Sequence, residues 1–163
     1  MIEIRMDFST EYISEDQKDV YAVFSKLVKE AERMRAKSYA PYSHWTVGAA
    51  LLSQSGVLYR GCNVENAAYT PTCCAERTAF FQAIAQGERR FRCIAIAGGR
   101  EGEPSRTFCA PCGVCRQVMA EFCEEDFQII LTDGENMRIY TWKELLPEPF
   151  GPKNLEEISY ENV

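Results

Sequence analysis

Apolar residues recur every three or four positions along Glu15–Lys37, and this period predicts a helix with one buried face. Lysine and glutamate residues occupy the opposite face, as expected for a helix at the surface of a globular protein. Ser14 is the predicted N-cap, and Pro41 lies beyond the predicted end of the helix. The apolar stripe consists of Val20, Val23, Phe24, Leu27, Val28 and Ala31.

Short apolar runs follow, separated by turn signals. Val47–Ser53 and Val57–Val64 flank Gln54-Ser55-Gly56, which predicts a β-hairpin because glycine tolerates the positive φ of a tight turn. The remaining predicted strands are Cys93–Gly98, Phe127–Leu131 and Met137–Thr141, and the remaining predicted helices are Cys74–Gly87, Cys112–Phe122 and Thr141–Leu146. This order predicts an α/β fold, a three-layer α/β/α sandwich around a mixed five-stranded sheet.

Composition sets the class of protein. With 163 residues the chain can form one domain with a full core, and a single domain over residues 1–163 is expected. No apolar run reaches the roughly eighteen residues of a membrane-spanning helix, and the acidic N-terminus lacks the pattern of a secretory signal. A cytoplasmic protein with no membrane partner is therefore expected. The net charge of −6 argues against a nucleic-acid partner, which clustered lysine and arginine would favour.

Eight cysteines in a chain without an export signal favour metal binding or buried thiols over a disulfide scaffold. Three of them, in apolar surroundings, are expected to be core residues: Cys62, Cys93 and Cys123. The other five form two clusters at predicted helix starts: Cys73 and Cys74 in one, and Cys109, Cys112 and Cys115 in the other. The only histidine, His44, is remote from both clusters in sequence and is not expected to be a ligand.

We predict that the clusters close on one zinc ion held by Cys74, Cys112 and Cys115. Adjacent side chains diverge, so only one of Cys73 and Cys74 can join. Cys112 is preferred to Cys109 because it follows a proline, a residue favoured at the first helical position. Three protein ligands plus an open position are typical of a catalytic zinc site, whereas a structural site takes four.

Two further residues of the first cluster extend this chemistry. Glu76 is the predicted acid–base group, placed to accept a proton from water and deliver it again. Three thiolates leave a charge of −1 around Zn²⁺, and Arg77 is suited to offset it by donating to a ligand sulfur. The competing interpretations are a redox Cys-x-x-Cys pair, which leaves Glu76 unexplained, and a structural zinc site.

These residues resemble a known family. Cys74-Ala75-Glu76-Arg77 together with Pro111-Cys112-Gly113-Val114-Cys115-Arg116-Gln117 is similar to the signature of zinc-dependent nucleobase deaminases. With Asn63-Val64-Glu65-Asn66 and Pro41-Tyr42-Ser43 added, the chain resembles the small, homotetrameric, three-cysteine cytidine deaminases from about Ser38 to Pro152.

The resemblance implies hydrolytic deamination of cytidine and 2′-deoxycytidine to uridine and 2′-deoxyuridine, with release of ammonia, as in pyrimidine salvage. One Zn²⁺ per subunit is implied, with Glu76 moving protons to N3 and to the leaving amine. Asn63 and Glu65 are implied contacts of the ribose 3′-hydroxyl. The Ala110 carbonyl is implied to accept from the leaving amine.

Further residues are implied to line the base or the subunit contacts. Trp45 and Ala75 fall at base-contact positions, and Tyr69 falls near subunit contacts. Phe150 resembles the aromatic residue that a neighbouring subunit places over the base. A homotetramer with shared active sites is thus implied.

Two departures leave alternatives open. Trp45 stands where the family usually carries a smaller phenyl ring, and Thr46 stands where proline is common. An enzyme specialised for a modified cytosine nucleoside is one alternative, and a catalytically silent zinc- or nucleoside-binding homologue is another. Deaminases of nucleotides, tRNA or DNA usually carry histidine at the position of Cys74, and blasticidin-type deaminases lack the Asn-x-Glu-Asn segment.

Overall fold

The computed structural model describes residues 2–5, 15–151 and 154–155. The described strands are β1 (Ile2–Arg5), β2 (Trp45–Ser53), β3 (Leu58–Cys62), β4 (Phe91–Arg100), β5 (Gln128–Thr132) and β6 (Asn136–Thr141). The described helices are α1 (Glu15–Arg35), α2 (Ala75–Ala85), α3 (Gly113–Phe122) and α4 (Trp142–Leu145). The predicted N-cap Ser14 lies outside the described residues.

The strands form one mixed sheet in the order β1-β6-β5-β4-β2-β3. β4 and β5 run parallel, and the other neighbours are antiparallel. All five predicted strands are present, which confirms the mixed α/β sheet, but the described part of the sheet also contains a sixth. This strand, β1, was missed because four residues give too short a pattern and their partner β6 is distant in sequence.

Helices cover both faces of the sheet, which confirms the three layers. On one face α1 buries Phe24, Leu27, Val28 and Ala31 against Ala50, Ala95 and Ile130. On the other, α2 and α3 bury Ala79, Phe80 and Met119 against Leu51, Ile94 and Ile129. Neighbouring strand residues such as Ala50 and Leu51 thus serve opposite layers. Two members of the predicted stripe on α1, Val20 and Val23, are exposed instead.

The two helices that carry the cysteine clusters begin one residue later than predicted. Cys74 and Cys112 are the N-cap residues of α2 and α3, with extended backbone at φ −71°, ψ 156° and φ −68°, ψ 166°. Pro111 precedes the helix, as predicted, but Cys112 is the N-cap and not the first helical residue. Both thiols project where a helix presents free backbone N–H groups, which favour the thiolate.

No helix in the described part of the chain combines the length and the apolar character needed to cross a bilayer.

Gly61 on β3 lets α2 approach the sheet closely. A Cβ atom at this position would lie 2.0 Å from the carbonyl oxygen of Ala75 and 2.7 Å from the amide nitrogen of Ala79. We expect Gly61→Ala to lower the free energy of unfolding by about 1–3 kcal/mol, or more, because backbone must shift to admit the methyl group. Urea denaturation measures the change. Gly151→Ala is the control, since no atom lies within 4 Å of its added Cβ; equal stability of both variants would contradict the packing role.

Candidate functional site

The thiols of Cys74, Cys112 and Cys115 form one cluster, with sulfur atoms within 4.8 Å of one another. The Cys74 and Cys112 Sγ atoms are 3.6 Å apart, and those of Cys112 and Cys115 are 3.5 Å apart. Zn–S bonds of about 2.3 Å in a tetrahedron separate the sulfurs by about 3.8 Å. The donor set and its spacing therefore fit zinc, and they bring together the three predicted ligands.

The charge around the cluster also suits a metal. A hydrogen bond from the Cys115 thiol, followed by one from Arg77, lowers the pKa of Cys74 to about 5, although burial raises it. Arg77 Nη2 lies 3.7 Å from Cys74 Sγ and donates to the Thr72 carbonyl at 2.8 Å. Arg77 Nε is buried without a partner among the described residues. A half-buried cation beside the thiols stabilises their anionic, metal-binding form.

The other candidate ligands lie outside this cluster. Cys73 Sγ accepts from the Thr78 hydroxyl at 3.7 Å. Cys109 packs over Gly98. His44 Nδ1 lies 3.3 Å from Glu101 Oε2 at the surface. Of the three expected core thiols, two are buried, while Cys62 is half-buried and donates to the Lys37 carbonyl at 3.2 Å.

Glu76 lies in the first turn of α2 and is only 4% exposed. Burial raises the pKa of its carboxyl group to about 7, and the negative charge of Cys74 adds to this effect. A carboxyl group with a pKa near the working pH can both accept and donate a proton, as general acid–base catalysis requires. The carboxyl group of Glu76 also interacts with the Cys115 thiol, so it lies beside the thiol cluster.

A cleft of about 410 Å³ lies next to the thiol cluster. It is lined by Tyr42, Ser43, Glu65, Tyr69 and Thr72. Thr72 links the two, because its carbonyl accepts from Arg77. Glu65 is held at its mouth: Oε2 accepts from the Tyr42 and Ser43 amides at 2.9 Å and 3.2 Å, and Oε1 accepts from the Ser43 hydroxyl. These bonds, above all the Ser43 hydroxyl, lower the pKa of Glu65.

Asn63, two residues before Glu65, is buried and fixes the start of β2. Its Oδ1 accepts from the Val47 amide at 2.8 Å, and its Nδ2 donates to the Trp45 carbonyl at 2.9 Å. Nδ2 carries two hydrogens, and this bond uses one of them. The amide therefore positions Trp45 whether or not it also binds a ligand.

The remaining predicted site residues surround these groups at different depths. Trp45 begins β2, fully buried Ala75 follows Cys74, and exposed Ala110 precedes the Pro111-Cys112 pair. Tyr69, with φ 56°, is exposed and meets Tyr42 edge-on at 6.4 Å between ring centroids. Phe150 is 62% exposed, and its carbonyl accepts from Gln117 Nε2 at 2.7 Å.

Three supporting residues escaped the sequence interpretation. Ser43 holds Glu65, and Thr72 accepts from Arg77. Arg116 connects the segment before α3 to the end of α4, because it donates to the Pro111 carbonyl at 2.8 Å and to the Leu145 carbonyl at 2.7 Å. Ser43 and Arg116 both lie inside the quoted motifs, which was the available signal; Thr72 carried none, because its contact is made by backbone.

Comparison with known proteins places this site in context. Residues 23–131 match the family described as "Cytidine and deoxycytidylate deaminase zinc-binding region". The chain is 45% identical over 136 residues to the cytidine deaminase of Sporosarcina psychrophila, covering 83% of this chain and 94% of that protein. It is 42% identical over 132 residues to that of Halalkalibacterium halodurans, covering 80% and 96%.

Solved structures agree. A crystal structure of cytidine deaminase from Burkholderia pseudomallei superposes with a TM-score of 0.70 at 44% identity, covering 77% of this chain and 98% of that one. That of Mycobacterium tuberculosis gives 0.68 at 34% identity, covering 78% and 96%.

Proposed function

The chain belongs to the cytidine and deoxycytidylate deaminase zinc-binding family, and on that premise we propose that it deaminates cytidine and 2′-deoxycytidine. The products are uridine or 2′-deoxyuridine and ammonia. The observation that carries the proposal is a buried carboxyl group, that of Glu76, bordering a three-thiol zinc site. A silent zinc-binding homologue would not need a buried acid at this point.

Cys74, Cys112 and Cys115 would hold one zinc ion. When bound, zinc supplies a Lewis acid that makes water a nucleophile at neutral pH. Three thiolate ligands reduce the Lewis acidity of the zinc ion, because their negative charge exceeds the charge of the metal. Arg77, with its 3.7 Å contact to Cys74, and the N-termini of α2 and α3 reduce the excess negative charge.

Glu76 is proposed to move two protons. It takes one from the water that attacks C4 and delivers it to N3, which turns the aromatic ring into a tetrahedral intermediate. It then carries the hydroxyl proton of that intermediate to the amino group, the C4–N bond breaks, and ammonia leaves as the C4 carbonyl forms. The carbonyl of Ala110, an exposed residue just before the Pro111-Cys112 pair, is suited to accept from the departing amine. A pKa near 7 supports both directions of transfer.

The sugar is proposed to lie at the Glu65 cleft. A carboxylate held by three donors from Tyr42 and Ser43 is rigid and still has lone pairs for a hydroxyl group. Asn63 is its proposed partner for the 3′-hydroxyl. Recognition through the 3′ position leaves the 2′ position unused, so both sugars are accepted.

The decisive test is ammonia release and ultraviolet loss on a sample whose zinc content is measured in parallel. Cytidine and 2′-deoxycytidine are expected to turn over with kcat/KM values within about tenfold of each other, because no 2′ contact is invoked. Free cytosine, which lacks the sugar, is expected to react far more slowly. A zinc-loaded protein that releases no ammonia from either nucleoside would overturn the proposal.

A homotetramer with shared active sites is the proposed assembly. Large apolar side chains are exposed around the site, among them Tyr69, Phe150 and Val114. Gln117 holds the Phe150 carbonyl at the metal-binding helix, and Phe150 is largely exposed there, so its ring is available to cover a base in a neighbouring subunit. The 163 residues are proposed to act as one catalytic domain in the cytoplasm, in pyrimidine salvage, where eight free thiols stay reduced.

Phe150→Ala tests the shared site. We expect kcat/KM for cytidine to fall about 10- to 100-fold, because stacking of a base on an aromatic ring contributes about 1–3 kcal/mol. Refolding this variant together with a Glu76→Gln variant should recover activity, since an intact Glu76 then meets an intact Phe150 across a subunit contact. Light scattering gives the subunit number. No gain on mixing would show that Phe150 acts within its own subunit or not at all.

A further inference from the structure

Gly98 on β4 leaves a space on the metal side of the sheet that two side chains fill together. A Cβ atom at Gly98 would lie 2.6 Å from Cys109 Sγ and 3.3 Å from Trp45 Nε1. Gly98 pairs with Val47, two residues after Trp45, so the indole reaches Gly98 diagonally across the β2–β4 ladder. The absent side chain thus decides where both the thiol and the indole lie.

Trp45 makes three contacts, two through its backbone and one through its indole. Its backbone amide donates to the Ser43 hydroxyl at 3.0 Å, and its carbonyl accepts from Asn63 Nδ2 at 2.9 Å. The indole N–H interacts with the Cys109 thiol. The two backbone bonds fix the point from which the side chain starts, the N–H contact orients the ring, and 37% of the residue remains exposed.

Cys109 lies over Gly98, on the sheet face that also carries α2 and α3, and three residues before the zinc-binding Cys112. Burial, and then the negative charge of Glu76, raise the pKa of the Cys109 thiol, so the thiol is a neutral neighbour of the indole. Ser43 connects Trp45 to the Glu65 cleft, because the Ser43 hydroxyl that accepts from the Trp45 amide also donates to Glu65. Trp45 therefore lies between that cleft and Cys109 and forms one wall of the site.

The perimeter of a bound cytosine indicates what this wall would face, and this step rests on the proposed function. C4 goes to the metal, N3 to Glu76 and N1 to the sugar. The proposed Phe150 contact is with a face of the ring. Along the perimeter two parts remain, the C2 carbonyl and the C5–C6 edge. The carbonyl needs a hydrogen-bond donor, and the Trp45 N–H is already directed at Cys109, so the apolar surface of the indole suits the C5–C6 edge.

We propose that Gly98, Cys109 and Trp45 form a specificity unit in which the thiol, seated over the glycine, fixes the indole against the C5–C6 edge of the base and excludes substituents at C5. An indole is larger than a phenyl ring, so it reduces the space beside the base. The unit therefore favours unmodified cytidine over a C5-modified nucleoside. Cys109 and Gly98 are positioning residues here, and Trp45 is the contact.

The experiment compares kcat/KM for 5-methylcytidine and cytidine in zinc-loaded enzyme. The unaltered enzyme should prefer cytidine. Trp45→Phe should raise the ratio of 5-methylcytidine to cytidine roughly tenfold or more, the discrimination that one methyl group supports in an apolar pocket. Cys109→Ala should raise it by a smaller factor, because the indole gains room to turn. Gly98→Ala should lower it, because the added methyl group pushes the indole into the pocket.

Cys93→Ala is the matched control, since it removes a buried thiol from the opposite face of the sheet and should leave the ratio unchanged. The ratio separates specificity from stability, because a variant that merely loosens the fold loses activity on both substrates alike. Equal ratios in the unaltered, Trp45→Phe and Cys109→Ala proteins would overturn the inference while leaving cytidine deamination intact. Failure of the unaltered, zinc-loaded enzyme on cytidine would instead overturn the proposed function.

Discussion

Glu76→Gln is expected to lower kcat for cytidine by about 10³- to 10⁴-fold, the upper part of the range for general acid–base catalysis. The reason is that one carboxyl group performs both proposed transfers, so its amide analogue removes the acceptor for the first and the donor for the second. Glutamine has nearly the same shape, and Glu76 is buried in the first turn of α2. The fold and the zinc content should therefore be unchanged.

Steady-state kinetics with zinc analysis on the same sample checks this. Glu121→Gln, an exposed carboxylate on α3, is the control and should behave as the unaltered protein. KM should change much less than kcat, because the carboxyl group acts on the reacting atoms. A Glu76→Gln enzyme of near-normal rate would refute the acid–base assignment, whatever its zinc content.

Cys74→Ala is expected to remove both zinc and activity, whereas Cys73→Ala keeps both. The two residues are adjacent, yet only Cys74 places its sulfur with the others, 3.6 Å from Cys112. The Cys73 sulfur instead contacts the Thr78 hydroxyl. Two remaining thiols cannot complete the set of three protein ligands that a catalytic zinc requires, so the metal dissociates. The melting temperature should fall as well, because bound metal stabilises the folded state.

Zinc per subunit, measured after extensive dialysis, distinguishes the pair. Cys74→Ala should retain almost none, and Cys73→Ala about one equivalent. Treating the unaltered enzyme with a chelator should reproduce the loss of activity, and added zinc should restore it. Retention of zinc by Cys74→Ala, or its loss from Cys73→Ala, would show that the ligands have been assigned to the wrong member of the pair.

Much of the fold could be predicted from the sequence, because the patterns that indicate helices and strands are local. The period of α1 and the apolar Cys93–Gly98 run depend on neighbouring residues only, and the structure confirms both elements, with β4 extended to Phe91–Arg100. The edge strand β1 was not predicted, because four residues carry little pattern and its pairing is formed with the far end of the chain. The start of α3 was predicted one residue early for a different reason: Cys112 is an N-cap with extended backbone, and sequence signals do not distinguish an N-cap from the first helical residue.

The sequence by itself determined that the metal ligands are cysteines, and it favoured three of the five clustered cysteines over the other two. Cys112 and Cys115, three apart at a helix start, must project to one side, and neighbouring Cys73 and Cys74 cannot. The position of Glu76 near the ligands was also predictable, because it lies two residues after Cys74 in the first turn of the same helix.

Only the tertiary structure decided how these groups meet. Cys74 and Cys112 are 38 residues apart and become neighbours because the sheet brings the starts of α2 and α3 together. Two further contacts join separate segments in the same way. Ser43 donates to Glu65, and the side chains of Trp45 and Cys109 pack over Gly98. Such contacts depend on which strands pair and in what register, and no local pattern of side chains encodes that choice.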